Sequence, residues 1–188
     1  MAGNKSSEIR VAGTGKVLVA PVGTAAPGNA TDPWSTEWVD LGYTTTDGIK
    51  FNKKDKIDPV DTWQSVSPAR FIYSDRDLTV KFQLLQFNDA TLPFFMGGGA
   101  VTGTGETFTY EIASAPKVDE RALGIEFSDG DRITYRFIMP RGQVTETEEL
   151  GLSRTAALKL GVTFTALAET DADPLAIWIM KDPAYAAG

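Results

Sequence analysis

The side chains here that could move a proton are carboxylates, at Asp55, Asp58, Asp61, Glu146, Glu148, Glu149, Asp171 and Asp173. They stand alone because the chain contains neither histidine nor cysteine. That removes Ser-His-Asp triads, imidazole and thiolate metal sites, disulfides and cysteine nucleophiles. Two carboxylates held across a sugar could hydrolyse a glycoside, with Trp34, Trp38 or Trp63 as walls. Spacing alone brings no such pair together, and acidic segments are ordinarily solvated. Asp129-Gly130-Asp131 and Asp171-Ala172-Asp173 could offer oxygens to calcium, but neither fits the twelve-residue calcium loop, and turn chemistry accounts for both. Gly13-Thr14-Gly15-Lys16 suggests a phosphate loop. That loop needs Gly where Arg10 stands, Ser or Thr where Val17 stands, and a helix where a strand pattern follows.

The elements that must position these residues read mainly as strands. Residues 16–22 (KVLVAPV) alternate and end at Pro21. Residues 23–36 are dense in Gly, Ala, Pro, Asn and Asp, which is surface-loop chemistry. Strand segments are expected over 37–43 and 44–52. Residues 53–70 (KKDKIDPVDTWQSVSPAR) begin charged and contain Pro59 and Pro68, so they read as a long loop, and loops beyond about 12–15 residues tend to be functional. Within it Ile57, Val60 and Trp63 form an apolar trio rimmed by Lys53, Lys54, Asp55, Lys56, Asp58 and Asp61, the pattern of a partner-binding patch.

Residues 78–87 set Leu78, Val80, Phe82 and Leu84 on one face against Thr79, Lys81 and Gln83. Asn88 stands where an N-cap belongs, so 88–96 reads as a short helix, with Pro93 delaying or bending its start and glycines ending it. Residues 107–112, 121–128 and 132–139 alternate again, the last two joined by Asp129-Gly130, the strongest hairpin signal in the chain. Residues 144–150 are half acidic and 157–167 alternate. Residues 175–180 (LAIWIM) are a continuous apolar run, either a doubly buried strand or one covered by a partner. Nine or ten strands and one short helix predict an antiparallel β-sandwich or partial barrel, in one domain over 13–181. An arm over 1–12 and a tail over 182–188 flank it.

Composition narrows the function. The sequence is 42% hydrophobic and 23% charged, which is globular rather than disordered. Its 18 Lys and Arg against 25 Asp and Glu give a net charge of −7, unsuited to wrapping nucleic acid through phosphates. No apolar run is long enough for a membrane span, and residues 1–10 lack the apolar stretch of a secretory signal. The Asn29-Ala30-Thr31 glycosylation pattern is therefore read as chance, and the chain as a protein of the cytoplasm in which it is made.

Taken in order, four blocks carry a resemblance: VAGTGKVLVAPVGTAAP, WVDLGYTTTDGIKF, DLTVKFQLLQFNDATLPFFMGGG and LKLGVTFTAL. Together they resemble the major tail tube proteins of long-tailed, non-contractile bacteriophages (siphoviruses), particularly forms from phages of actinobacteria. The likeness runs from about residue 9 to 181 and rests on segment order, not on a catalytic signature. It implies a structural virion protein and no enzyme, cofactor or membrane partner. Subunits of that family form hexameric rings whose inner sheets close into a barrel, and the rings stack into a tube that conducts DNA into the host.

On that pattern 53–70 is the inter-ring stacking loop, with Lys53, Lys54, Ile57, Val60 and Trp63 as its contacts. Residues 88–96 are the flanking helix, and the terminal arms cross between subunits. Implied partners are a tape-measure protein in the lumen, and tail terminator and distal tail or baseplate proteins at the ends. Genomic DNA is met only in passage. The additional immunoglobulin-like domain of larger members is not expected in this length. An acidic lumen would let a duplex slide without sticking. Glu126, Glu146 and Glu148 are the candidates to line it, although which sheet faces inward does not follow from the residues. The alternative from another class is a soluble β-sandwich binding module, for carbohydrate or protein, presenting Trp34, Trp38 and Trp63.

Overall fold

A computed structural model describes residues 4–186. Met1, Ala2 and Gly3 of the expected arm, and Ala187 and Gly188 of the expected tail, lie outside the described residues. Ten strands form: β1 (Thr14–Pro21), β2 (Val39–Asp40), β3 (Lys50–Thr62), β4 (Ser65–Leu84), β5 (Val101–Thr104), β6 (Thr107–Tyr110), β7 (Arg121–Asp129), β8 (Ile133–Thr147), β9 (Leu160–Ala166) and β10 (Ile177–Lys181). One helix, α1 (Thr91–Met96), sits between β4 and β5. Every strand pairing is antiparallel. The main sheet runs β2-β1-β7-β8-β9-β4-β3, with β10 added to β8, and β5-β6 form a separate hairpin.

This sheet folds over itself around one core. Val17, Val19, Leu123, Ile125, Phe137 and Met139 face Val80, Phe82, Leu84, Leu160, Val162 and Phe164. The strand β8 belongs to both halves. Its first part pairs with β7 and β10, and its last part with β9. A register shift opposite Arg121 and Leu123 adds a residue to β8 between Met139 and Gly142, so the core-facing positions change from odd to even there, and a second shift between Val144 and Glu146 changes them back. The result is a two-layered antiparallel sandwich, with no closed barrel among the described residues.

Helix α1 fills one end of the core. Asn88 does not stand at the N-cap, which is Ala90 and has no side-chain cap, but closes the turn that leads into the helix: its Oδ1 accepts the backbone N–H of Ala90 and Thr91 at 3.0 and 2.9 Å. The helix starts late, so Pro93 falls in the first turn, where an N–H has no helical partner. Gly97 ends it at φ 77°, a left-handed conformation that glycine adopts without strain. Phe94 lies between Phe82 and Phe164, at 6.2 and 6.0 Å between ring centroids.

Three further expectations change. The strand expected over 37–43 shrinks to β2, and of 44–52 only a single bridge at Thr44 and the start of β3 are strand. The run 175–180 is not doubly buried, since Ile177, Trp178 and Met180 keep 39–43% of their surface exposed. The largest change is at 53–70. It is not a loop but most of a long hairpin, in which β3 and β4 pair from Lys50–Lys81 out to Thr62–Ser65. Proline does not prevent this, because beyond Leu78 the ribbon has only two strands and both outer edges are free. A missing N–H at Pro59 or Pro68 can lie on a free edge or in the register shift that precedes the tip.

Candidate assembly surfaces

The hairpin is the first candidate. From Lys53 to Thr62 it extends about 30 Å at roughly 3.3 Å per residue, turning at Trp63 and Gln64. Directly opposed residues share a face, as do residues two apart. Ile57 opposes Tyr73 and Pro59 opposes Phe71, so one face of the ribbon is an apolar row of four side chains. Ile57, Phe71 and Tyr73 are all exposed, and Trp63 at the tip is 98% exposed. Val60 opposes Arg70 on the other face. The expected trio of Ile57, Val60 and Trp63 is therefore not one patch: a spacing of three puts two strand residues on opposite sides. Phe71 and Tyr73, which complete the row, come from the returning strand, and the run FIY at 71–73 was the available signal.

The base of the hairpin is braced by ions. Asp55 accepts from Arg76 Nε and Lys53 Nζ, each at 2.7 Å, and Arg76 followed by Lys53 lowers its carboxyl to about 2. Lys53 is thus committed within its own chain, while Lys54 opposes Asp77 and makes no ion pair among the described residues.

The second candidate is the outward face of β8-β9-β4-β3. Register aligns Lys50, Lys81, Thr163 and Glu146 in one row, and Asn52, Thr79, Thr165 and Gln143 in the next. Glu148 lies across Gly161 and accepts from Gln83 Nε2. Glu146 is 71% exposed and meets Lys81 only at 3.8 Å. With Lys54 opposite Asp77, these rows carry three lysines against Asp77, Glu146 and Glu148. The face is polar and charge-balanced rather than acidic.

Glu126 does not belong to it. It lies on the outward face of the other half, beneath the segment 23–38, where Lys16, Arg136 and Trp34 surround it at 3.1, 2.6 and 2.8 Å. Burial alone would raise its carboxyl, but hydrogen bonds from Trp34, Arg136 and Lys16 outweigh that and leave it below its usual range. Arg136 also lies 5.1 Å from the centre of the Trp34 ring. Trp38 is only 5% exposed and donates to Ala25 O. Gly124 runs so close beneath that a side chain there would collide with both indoles. Trp34 and Trp38 therefore seal a loop onto the sheet, and only Trp63 of the three is presented to solvent.

The remaining motif residues serve the chain itself. Lys16 is a strand residue paired to Glu126, Asp129 Oδ2 accepts from Val11 N, and Asp173 Oδ2 accepts from Thr170. Arg10 grips Asp182 through Nε and Nη2 at 2.6 and 2.7 Å, and the Tyr135 hydroxyl donates to the same carboxylate. Burial first, and then Asp182, push the Tyr135 hydroxyl up to about 12. That clasp joins both terminal segments to β8, a link across 172 positions that no local pattern announces.

An exposed apolar ribbon on a sandwich with open edges is the surface of a protein that acts by assembling. The sequence matches the family described as "Phage tail tube protein" over residues 1–188, the whole chain, and the protein belongs to that family. It is a structural component of the virion tail, not an enzyme, and self-assembles into the tube alongside other tail proteins. No curated protein matches it. No helix among the described residues is long and apolar enough to cross a membrane.

Proposed function

We propose that subunits close into hexameric rings, that the rings stack into the tail tube, and that the bore conducts DNA during ejection. The observation that carries this reading is the β3–β4 hairpin, which carries Trp63 at a tip about 30 Å beyond Lys53 and leaves the apolar row along its face exposed. Such an arm suits a head-to-tail contact, in which the surface offered differs from the surface that receives it and the pattern repeats along an axis. Residues 53–70 are then the stacking element, with Ile57, Phe71 and Tyr73 as the contact face and Trp63 as the anchor.

The polar face of β8-β9-β4-β3 lines the bore, with Glu146 and Glu148 on its wall. Glu126 is left out of that role because its charge is already met by Lys16 and Arg136. Balanced charge also suits passage, since a duplex finds no net cation to hold it. Assembly takes place in the host cytoplasm around a tape-measure protein, with terminator and distal tail or baseplate proteins at the ends. Negative-stain images of concentrated purified protein test the reading: rings and tubes are expected, and a persistent monomer would overturn it.

A further inference from the structure

Beyond Leu78 the β3–β4 ribbon has no third strand, and every residue of β4 from Ser65 to Asp77 is exposed. Burial of one face, which ordinarily fixes how two strands align, is missing there. Charge supplies what burial does not. Lys54, Asp55 and Lys56 stand opposite Asp77, Arg76 and Asp75, so all three pairs are of opposite sign. A slip of one residue either way sets Asp55 against Asp75 or Asp77 and a lysine against Arg76. Like charges directly opposite are destabilising.

The middle pair is more than an ordinary surface contact. Arg76 reaches Asp55 with Nε at 2.7 Å and Nη2 at 3.3 Å, and Lys53 Nζ adds a third contact at 2.7 Å. Only 17% of the Asp55 side chain stays exposed. A bidentate pair within a network is the kind of surface ion pair that does contribute.

One step further out the register changes. Lys56 opposes Asp75 but Ile57 opposes Tyr73, which leaves Ser74 over as a bulge. A bulge bends its strand and tightens the twist, so it sets the direction in which the outer ribbon leaves the body. It also sets what the ribbon displays. An unbroken ladder would put Tyr73 opposite Asp58 and Phe71 opposite Val60, whereas the shift puts them opposite Ile57 and Pro59. Because charge holds one register as far as Lys56–Asp75, the bulge cannot move toward the body.

Resting on the stacking reading above, we infer that the alternating charges of 54–56 and 75–77 are a register code that fixes the bend at Ser74 and so aims the stacking arm before it meets a second copy. Asp55 and Arg76 are its positioning residues, acting on the direction of the arm and not on a partner. Ordering of the ribbon then belongs to folding of the subunit, and the arm meets the next ring preorganised.

The chain has no native cysteine, so spin labels at Gln64→Cys on the tip and Ser35→Cys on the body report the direction of the arm in dilute, unassembled subunits. A narrow distance distribution is expected with the native charges. Asp55→Arg with Arg76→Asp keeps three pairs of opposite sign but sets cations only against anions, which a slip does not penalise. That exchange is expected to broaden the distribution at least twofold and to cut tube formation at least tenfold, without lowering the melting temperature. Inverting all six charges (Lys54→Asp, Asp55→Lys, Lys56→Asp, Asp75→Lys, Arg76→Asp and Asp77→Lys) preserves the alternation and is expected to restore both. Deletion of Ser74 keeps the charge pairs and the apolar row but removes the bend. Its distribution should stay narrow about a different mean, and its tubes should be lost.

A broad distribution in native subunits, an exchange variant as narrow as native, or an inverted one as broad as the exchange would overturn the inference. So would normal tubes from the Ser74 deletion or from any variant with a broadened distribution. A lowered melting temperature in the exchange variant would assign the pair to stability of the body instead. A protein that shows the expected distributions yet never forms tubes would overturn the stacking reading and leave the register code standing.

Discussion

Trp63 illustrates how much a single residue's surroundings decide. At 98% exposure in its own chain it contributes almost nothing to the fold, whereas a Trp buried at an interface contributes about 2 kcal/mol or more. Trp63→Ala is expected to leave the melting temperature of the subunit nearly unchanged and to abolish long tubes, leaving at most single rings. Melting curves and micrographs from one preparation check both halves. Asp182 is the opposite case, a buried carboxylate whose partners all lie in its own chain. Arg10 first, and then Tyr135 and the Ala184 N–H, hold it far below the usual carboxylate range against the effect of burial. A carboxyl with a depressed folded pKa gives stability that is present above its unfolded value, about 3.9, and is lost as pH falls toward the folded one. Asp182→Asn is therefore expected to melt lower than wild type at pH 7, with the gap closing between about pH 4 and 2. Parallel stability curves over that range would contradict the assignment.

Two elements of similar apolar content behave oppositely at the next scale. Helix α1 is only six residues long, yet Phe94 and Phe95 are buried in the core. Phe94→Ala leaves a cavity between Phe82 and Phe164 and is expected to cost about 3–5 kcal/mol, read from denaturant unfolding. The outer hairpin holds Ile57, Trp63, Phe71, Ile72 and Tyr73, all exposed. Replacing residues 57–73 by a two-residue turn is expected to change unfolding of the body by less than about 1 kcal/mol, because surface changes away from buried contacts seldom exceed that. The same shortening should eliminate stacking. A large loss of stability would mean the ribbon packs back on the body.

For the whole molecule, the question is which outward face of the sandwich meets the bore. A cysteine at Thr79 lies in the middle of the polar face of β8-β9-β4-β3, and one at Ser35 lies on the segment that covers the other face. With no native thiol to interfere, both variants can be labelled before and after assembly. In tubes, Thr79→Cys is expected to react with a bulky maleimide at least tenfold more slowly than in monomers, while Ser35→Cys keeps its rate. The reverse ordering would place the segment 23–38 in the bore.

Strand content was legible in the residues because a period of two is local. Leu78, Val80, Phe82 and Leu84 announce a face wherever they are placed, and Asp129-Gly130 announces its own hairpin. The absence of histidine and cysteine likewise limits the chemistry before any folding. The order of four segments was enough to suggest the family. Three features belonged to the tertiary structure alone. Pro59 and Pro68 spoke against a strand, yet a ribbon with free edges tolerates them, and freedom of an edge is a property of neighbours. Glu126, Glu146 and Glu148 look equivalent in sequence, but the folding of the sheet puts Glu126 on one outward face and the other two on the opposite one. The Arg10–Asp182 clasp joins positions far apart in the chain. Alternation tells which side of a strand is apolar; only closure of the sheet tells which strand lies beside it.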